Sequence, residues 1–272
     1  MPYAPRIDRR VLLAGASAVP LALALPAAAA SRLETVRRRG TIRIGTTGDY
    51  FPYSFRDLRG GGFKGYEVGV AERLAADLGV KLQLVQATWP TLVAGLMADR
   101  YDLAASGITV TPERAQAVAF SKPYLRPRFV PIVQERDLPR FRSWADLDDP
   151  MVTVAVQQGT ASEQMAKRAF SRTRILSVAE PVIDFTEVLA GRAHAAFTDN
   201  LYFYSKIGRE YPQLKLLPLE AAGAETETAL MTAKGDAEWL AWIDGWVAAR
   251  LADGFFDGLN RTWFADLPEP LR

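Results

Sequence analysis

The residues best suited to bind a charged ligand lie in one short stretch, residues 109–114. Arg114 carries a planar guanidinium, which can bind a carboxylate through two parallel hydrogen bonds. Thr111 is a typical helix N-cap and Pro112 suits the first helical position, while residues 102–106 just upstream predict a buried strand. A helix N-terminus would therefore follow the carboxyl end of a strand, where open α/β sheets bind ligands and an anion is favoured. The stretch predicts a site for a small carboxylate.

A second charged candidate, Asp199, follows the apolar run at residues 195–198, which predicts another buried strand. An aspartate there either caps the next helix or meets an ammonium group at the carboxyl end of the strand, and the sequence leaves both roles open. In the second case Asp199 and Arg114 would hold the two ends of an α-amino acid. Each such charged hydrogen bond contributes about 1.5–3 kcal/mol.

Aromatic side chains near these positions could form the walls of a pocket. Tyr50 and Trp89 lie in predicted loops between a strand and a helix, and Tyr53 follows shortly after the first of them. Aromatic side chains supply large contact areas in ligand sites, but they also fill protein cores. We therefore expect Tyr50 and Trp89 in a pocket, with a core position as the alternative.

The sequence does not indicate a metal site, a phosphate-binding loop or the catalytic motif of a serine hydrolase. The chain has no cysteine and one histidine, so it offers neither a thiolate metal site nor a histidine cluster. The spacing of a phosphate-binding loop and the Gly-x-Ser-x-Gly motif of serine hydrolases are also missing. The sequence predicts no metal and no cofactor.

The composition predicts an exported globular protein. The chain has 272 residues, 49% of them hydrophobic and 24% charged, which is enough for two lobes with separate cores. Residues 1–30 combine basic residues, an apolar run and a small-residue end, so they predict a signal peptide that is removed near Ala30 and release into the periplasm. The pair Arg9-Arg10 fits either twin-arginine or Sec export. Without these residues the basic and acidic counts are equal, which argues against a nucleic-acid or membrane-surface partner.

The rest of the chain alternates predicted strands and helices in two series. The predicted strands are residues 41–44, 81–85, 102–106, 152–156, 175–178, 195–198, 214–217 and 228–231. This alternation predicts an α/β fold whose lobes each contain a mainly parallel sheet with flanking helices. Prolines exclude a helix at residues 124–134, which we expect to cross between the lobes. We predict one lobe from residues 31–128 with 225–272, and the other from residues 129–224.

Ordered motifs along residues 35–265 carry a resemblance to a known family. They include Gly65-Tyr66-Glu67-Val68, Trp89-Pro90-Thr91-Leu92, Thr111-Pro112-Glu113-Arg114, Phe120-Ser121-Lys122-Pro123-Tyr124 and Thr198-Asp199. On these motifs the chain resembles the bacterial periplasmic solute-binding proteins of the polar amino-acid family, which have a two-lobed type II fold with the ligand cleft between the lobes. The resemblance implies a monomer that captures an amino acid or similar small carboxylate by hinge closure, for the membrane permease of an ABC transporter.

The resemblance also implies a role for each site residue. In that family the arginine matching Arg114 binds the α-carboxylate of the ligand, with help from the groups at Ser106 and Thr109. The aspartate matching Asp199 binds the α-ammonium group. The other positions expected around the ligand are Tyr50, Trp89, Thr47, Gln157 and Thr160.

Residues 46–50 and 87–90 look closest to one branch of the family, the periplasmic cyclohexadienyl dehydratases, which turn prephenate or arogenate into phenylpyruvate or phenylalanine. The general acid of that branch is a glutamate and its active site holds an asparagine, where this chain has Tyr202 and Gln157. A tyrosine, with a pKa of about 10, is a poor proton donor beside a tuned carboxylic acid. We therefore predict a binding protein. The alternative is a dehydratase with Tyr202, Gln157 and Asp49 at the chemical positions.

Overall fold

The computed structural model describes residues 1, 30–57, 60–218 and 225–264. The predicted signal peptide lies outside these residues apart from its two ends, so its existence stays a prediction. The folded unit described below begins at Ser31.

The strands are short and are distributed over the whole of the folded unit. In chain order they are β1 (Thr41–Thr46), β2 (Asp49–Tyr50), β3 (Ser54–Arg56), β4 (Phe63–Lys64), β5 (Lys81–Gln86), β6 (Leu103–Ala104), β7 (Val118–Phe120), β8 (Phe129–Gln134), β9 (Thr153–Gln157), β10 (Arg174–Val178), β11 (Ala195–Asp199), β12 (Leu214–Leu216) and β13 (Met231–Ala233).

The helices connect these strands and close the C-terminal part of the unit. They are α1 (Arg32–Arg39), α2 (Tyr66–Leu78), α3 (Leu92–Met97), α4 (Pro112–Ala117), α5 (Ala161–Ala169), α6 (Asp184–Leu189), α7 (Asn200–Tyr202), α8 (Gly208–Glu210), α9 (Ala237–Ala252) and α10 (Phe255–Trp263). Single 3₁₀ turns at Trp89–Thr91, Glu135–Asp137 and Ala145–Leu147 and a π-helical turn at Phe203–Ile207 complete the set.

Two five-stranded sheets define two lobes. The sheet of the first lobe has the strand order β5-β1-β6-β13-β7, and the sheet of the second lobe has the order β10-β9-β11-β8-β12. In each sheet three strands pair in parallel, as predicted, and the remaining two pair antiparallel. β8 lies in the second sheet and β13 returns to the first. The lobe boundaries predicted above stay predictions.

Each lobe has its own apolar core, which forms because helices bury one face against a sheet. In α2, Tyr66, Val70, Leu74 and Leu78 recur every fourth residue and are all buried, as their spacing predicts. They pack with buried residues of α9 such as Trp239. The core of the second lobe is built around the strand β9 and its neighbours.

The strand predicted at residues 228–231 is displaced and runs over Met231–Ala233. Two other predicted elements are shorter than their sequence patterns. The strand predicted at residues 102–106 is limited to Leu103–Ala104, because the chain leaves the sheet and turns at Gly107, which has a φ of +67°. The helix predicted from Asp199 onward is interrupted by the π-helical turn. Both departures lie beside the cavity described next.

A search of the described residues finds no helix that combines the length and the apolar character needed to cross a membrane.

Candidate functional site

A cavity of about 310 Å³ lies between the two lobes. This volume is at the lower end of the range of about 300–1,000 Å³ found for small-molecule sites. The first lobe contributes Asp49, Tyr50, Trp89, Gly107, Thr109 and Arg114 to its wall, and the second lobe contributes Phe129, Gln157, Thr160, Ala161, Ser162, Glu180, Pro181, Val182, Ile183, Thr198 and Tyr202. The cavity has room for one small molecule in contact with both lobes.

Arg114 is the buried cation of this cavity. The predicted helix start is present in α4, where the side chain of Thr111 accepts a hydrogen bond from the Arg114 backbone N–H at 3.2 Å. The residue is 6% exposed, and its guanidinium donates to the carbonyls of Thr109 at 3.1 Å and Gly159 at 3.2 Å. Burial lowers the pKa of Arg114 to about 10. No carboxylate in the described part of the chain is bonded to it, so an anionic ligand would supply the missing countercharge.

Trp89 and Tyr50 form an aromatic wall of the cavity. The guanidinium of Arg114 lies 5.9 Å from the centre of the Trp89 ring, and Trp89 Nε1 donates to Asp49 Oδ2 at 3.0 Å. The Tyr50 ring meets Trp89 edge-on at 5.6 Å and Tyr202 edge-on at 5.2 Å. This wall therefore connects the cationic end of the cavity to the carboxylate of Asp49.

Asp199 is fully buried and does not line the cavity. Its carboxylate caps α7 by accepting from the Tyr202 N–H at 3.0 Å, and it also accepts from the hydroxyls of Tyr53 at 3.0 Å and of Tyr50. Burial raises the pKa of Asp199 above its ordinary value, while these hydrogen bonds act in the opposite direction. Of the two roles that the sequence left open for Asp199, the structure shows the helix cap. The role of Asp199 as the partner of an ammonium group stays a prediction.

Two other predicted residues, Ser106 and Thr47, are buried behind the wall. Their hydroxyls are hydrogen-bonded to each other at 2.7 Å, and the Thr47 N–H donates to Ser106 Oγ at 3.1 Å. These contacts fix the segments after β1 and β6. The structure thus places Ser106 and Thr47 next to the site, with their hydroxyls engaged with each other.

The predicted residues of the second lobe, Gln157 and Thr160, both line the cavity. Thr160 donates to the Gln157 carbonyl at 2.6 Å and caps α5 by accepting from the Glu163 N–H at 3.3 Å. Gln157 is the last residue of β9, at the carboxyl end of the strand. Both positions follow the rule for ligand sites in open α/β sheets.

Tyr202 occupies the wall at the position that the sequence predicted for the chemical step of a dehydratase. Burial, followed by the nearby carboxylate of Asp184, raises the pKa of Tyr202 above its usual range. The hydroxyl of Tyr202 is therefore an even weaker acid than a tyrosine in water.

Sequence reasoning missed Glu180. It lies in the loop after β10 and contacts Asp49, which belongs to the opposite side of the cavity. Burial and the charge of Asp49 raise the pKa of Glu180 to about 7. α6 begins only at Asp184, so Glu180 belongs to the loop between β10 and this helix. The available signal was the position of Glu180 just beyond the carboxyl end of a parallel strand.

Among the described residues, no group of three histidine, cysteine, aspartate or glutamate side chains is arranged to hold a metal ion. The polar groups around the cavity suit recognition of a small organic ion.

Comparisons with known proteins agree with this architecture. The family model of the bacterial extracellular solute-binding proteins, family 3, matches residues 42–266. Cyclohexadienyl dehydratase of Pseudomonas aeruginosa is 33% identical over 259 residues, which cover 95% of this chain and 96% of the relative. The L-cystine-binding protein TcyJ of Escherichia coli is 26% identical over 232 residues, covering 85% of each chain.

Solved structures show the same similarity. The crystal structure of an ancestral amino acid-binding protein, described as a precursor of cyclohexadienyl dehydratase, has a TM-score of 0.78 and 34% sequence identity. That alignment covers 86% of this chain and all of the ancestral chain.

Proposed function

The chain belongs to the bacterial extracellular solute-binding proteins of family 3, and on that basis we propose that it captures an amino acid or similar small carboxylate for an ABC transporter. The fold is the two-lobed type II fold of periplasmic binding proteins, with the cleft between the lobes. The observation that carries the proposal is Arg114, a buried guanidinium that has no carboxylate bonded to it among the described residues and that lines a cavity for one small molecule.

The ligand would hold the two lobes together. Its carboxylate binds Arg114 in the first lobe, while Gln157 and Thr160 in the second lobe close over it. A ligand that contacts both lobes stabilises the closed arrangement because it has more interactions there than in the open one. A membrane permease would then recognise the closed shape.

We also propose that the protein works in the periplasm, as a monomer, after removal of a signal peptide near Ala30. The family membership supports a location outside the cytoplasm. The basic and apolar pattern of residues 1–30 supports export.

A dehydratase remains the second candidate because of the 33% identity to cyclohexadienyl dehydratase over nearly the whole chain. Such an enzyme needs a group that protonates the departing hydroxyl. Tyr202 lines the cavity at the expected position, but its pKa is raised by burial, so it holds its proton too firmly for that step. The binding function therefore fits this site better.

The proposal predicts that Arg114→Ala abolishes ligand binding without unfolding the protein. Isothermal titration with a panel of L-amino acids should give a ligand for the unmodified protein, and the variant should lose at least about a hundredfold in affinity, since a buried charged contact is removed. Circular dichroism should show the same helix content in both. Arg136→Ala, which removes an exposed arginine of the second lobe, is the matched control and should bind normally.

Two results would contradict this function. If Arg114→Ala bound the ligand as tightly as the unmodified protein, Arg114 would not be the residue that binds the carboxylate. Multiple turnovers of prephenate or arogenate, lost in the same variant, would favour the dehydratase instead.

A further inference from the structure

Two carboxylates, Asp49 and Glu180, meet at the mouth of the cavity. Asp49 begins β2, in the small sheet β2-β3-β4 on the side of the first lobe, and Glu180 lies in the loop after β10 in the second lobe. Both line the cavity, and both are exposed towards its opening. The two carboxyl groups lie close enough to interact, and the charge of Asp49 raises the pKa of Glu180.

Among the described residues, no lysine or arginine is paired with Asp49 or Glu180. In the described part of the chain, the groups that act on the pair are the Trp89 indole, which donates to Asp49 at 3.0 Å, and the hydroxyl of Tyr202 nearby. The pKa of Glu180 is raised by partial burial and by Asp49, and no lysine or arginine acts on it. The mouth of the cavity therefore carries uncompensated negative charge.

The other end of the cavity carries the positive charge of Arg114, which has no carboxylate bonded to it in the described part of the chain. One indole ring connects the two ends, because Trp89 contacts the guanidinium with its face and Asp49 with its Nε1. A ligand whose carboxylate binds Arg114 and whose side chain extends along Trp89 would bring its far end to the acidic pair.

Asp49 lies on the side of the first lobe and Glu180 in the second lobe, so closing the cleft brings the two carboxylates towards each other, and like charges repel. A cation placed between them replaces the repulsion with two charge-assisted hydrogen bonds. We propose that Asp49 and Glu180 bind a cationic group at the tip of the ligand side chain, so that the protein selects amino acids with a positively charged side chain. This inference rests on the proposed amino-acid-binding function.

The pair L-arginine and L-citrulline tests this selection, because the two molecules have nearly the same length and shape and differ in the charge of the terminal group. We expect the unmodified protein to bind arginine about tenfold more tightly than citrulline in isothermal titration, a modest ratio because the acidic pair is exposed. L-Lysine and L-ornithine, with uncharged norleucine as their comparison, extend the test to ammonium groups.

Glu180→Gln and Asp49→Asn each remove one negative charge and keep the shape of the side chain. In either variant the ratio of arginine to citrulline affinity should fall to within about threefold of one. Glu72→Gln is the matched control, since Glu72 is an exposed acid on α2 that does not line the cavity. It changes the net charge by the same amount and should leave the ratio unaltered.

Equal affinities for arginine and citrulline, or a ratio that both variants leave unchanged, would overturn the inference. Binding of only uncharged amino acids would overturn it as well, while leaving the proposed function intact. If the protein bound no amino acid of the panel, both this inference and the proposed function would be contradicted.

Discussion

At the scale of single residues, Asp199 shows how one carboxylate can serve several structural purposes. It is fully buried, it caps α7, and it accepts hydrogen bonds from two tyrosine hydroxyls of the first lobe. A buried carboxylate is tolerated only when donors replace the water that it has lost. Tyr50 lines the cavity and donates to Asp199, so Tyr50 lies between this carboxylate and the ligand space.

We predict that Tyr53→Phe lowers the free energy of unfolding by about 1.5–3 kcal/mol, because the buried carboxylate of Asp199 loses one of its donors. Urea denaturation measures the change. Tyr66→Phe is the matched control: this tyrosine is equally buried, but its hydroxyl has no partner among the described residues. Its removal should have little effect, and equal losses in the two variants would contradict the assigned role.

At the scale of elements, helix α2 connects the core of the first lobe to the wall of the cavity. Glu67, in its first turn, is buried and accepts from the Tyr124 hydroxyl at 2.8 Å and from the backbone of Gly107, which lines the cavity. Burial outweighs these donors and raises the pKa of Glu67 to about 7. A polar residue therefore occupies a core position, and it holds the turn where the chain leaves β6.

This raised pKa predicts a pH dependence of stability. Glu67 takes up a proton more readily in the folded than in the unfolded state, so its contribution is fully present below pH 4.5 and is lost as the pH rises towards 7. Asp184, whose pKa burial raises to about 7, acts in the same direction. We expect the free energy of unfolding to fall over this interval, with up to about 3 kcal/mol from Glu67.

Urea denaturation at pH 5 and pH 7.5 checks the expectation, with Glu67→Gln as the comparison. Glutamine keeps an acceptor for Tyr124 but does not ionise, so this variant should lose less stability than the unmodified protein between the two pH values. An identical loss would mean that Glu67 does not titrate in this range.

At the scale of the whole molecule, the two lobes touch directly around the cavity. Arg114 donates to the carbonyl of Gly159 across the cleft, and a salt bridge of 2.6 Å joins Arg168 to Glu113. Gly159 has a φ of +77°, and a Cβ added there would lie 2.8 Å from the Pro90 nitrogen. The closed arrangement therefore requires a residue without a side chain at this point.

Gly159→Ala should weaken ligand binding by about tenfold or more, because the added methyl group overlaps Pro90 only when the lobes are closed. Gly191→Ala controls for backbone strain, since Gly191 also has a positive φ, +72°, but has open space where its Cβ would lie. Both variants should lose similar stability, and titration should show weaker binding in Gly159→Ala alone. Normal affinity in Gly159→Ala would argue that ligand binding does not need this contact.

The sequence alone was sufficient for the local features of this protein. The spacing of four residues in α2, the cap at Thr111 and the loop with Trp89 between a strand and a helix depend on neighbours a few residues away, and the structure contains them. The loop predicted at Tyr50 is wrong, because Tyr50 lies in the strand β2. The ordered motifs were sufficient for the two-lobed fold and the family, since so many matches in one order are specific.

Only the tertiary structure decided how side chains from distant segments share a site. The contact of Glu180 with Asp49 and the capture of Asp199 by two tyrosine hydroxyls join residues more than a hundred positions apart. No periodicity or cap signals such pairs, because long-range contacts depend on how the two lobes pack against each other. The same packing leaves Arg114 buried without a carboxylate partner in the described part of the chain, and that is the physical reason for expecting an anionic ligand.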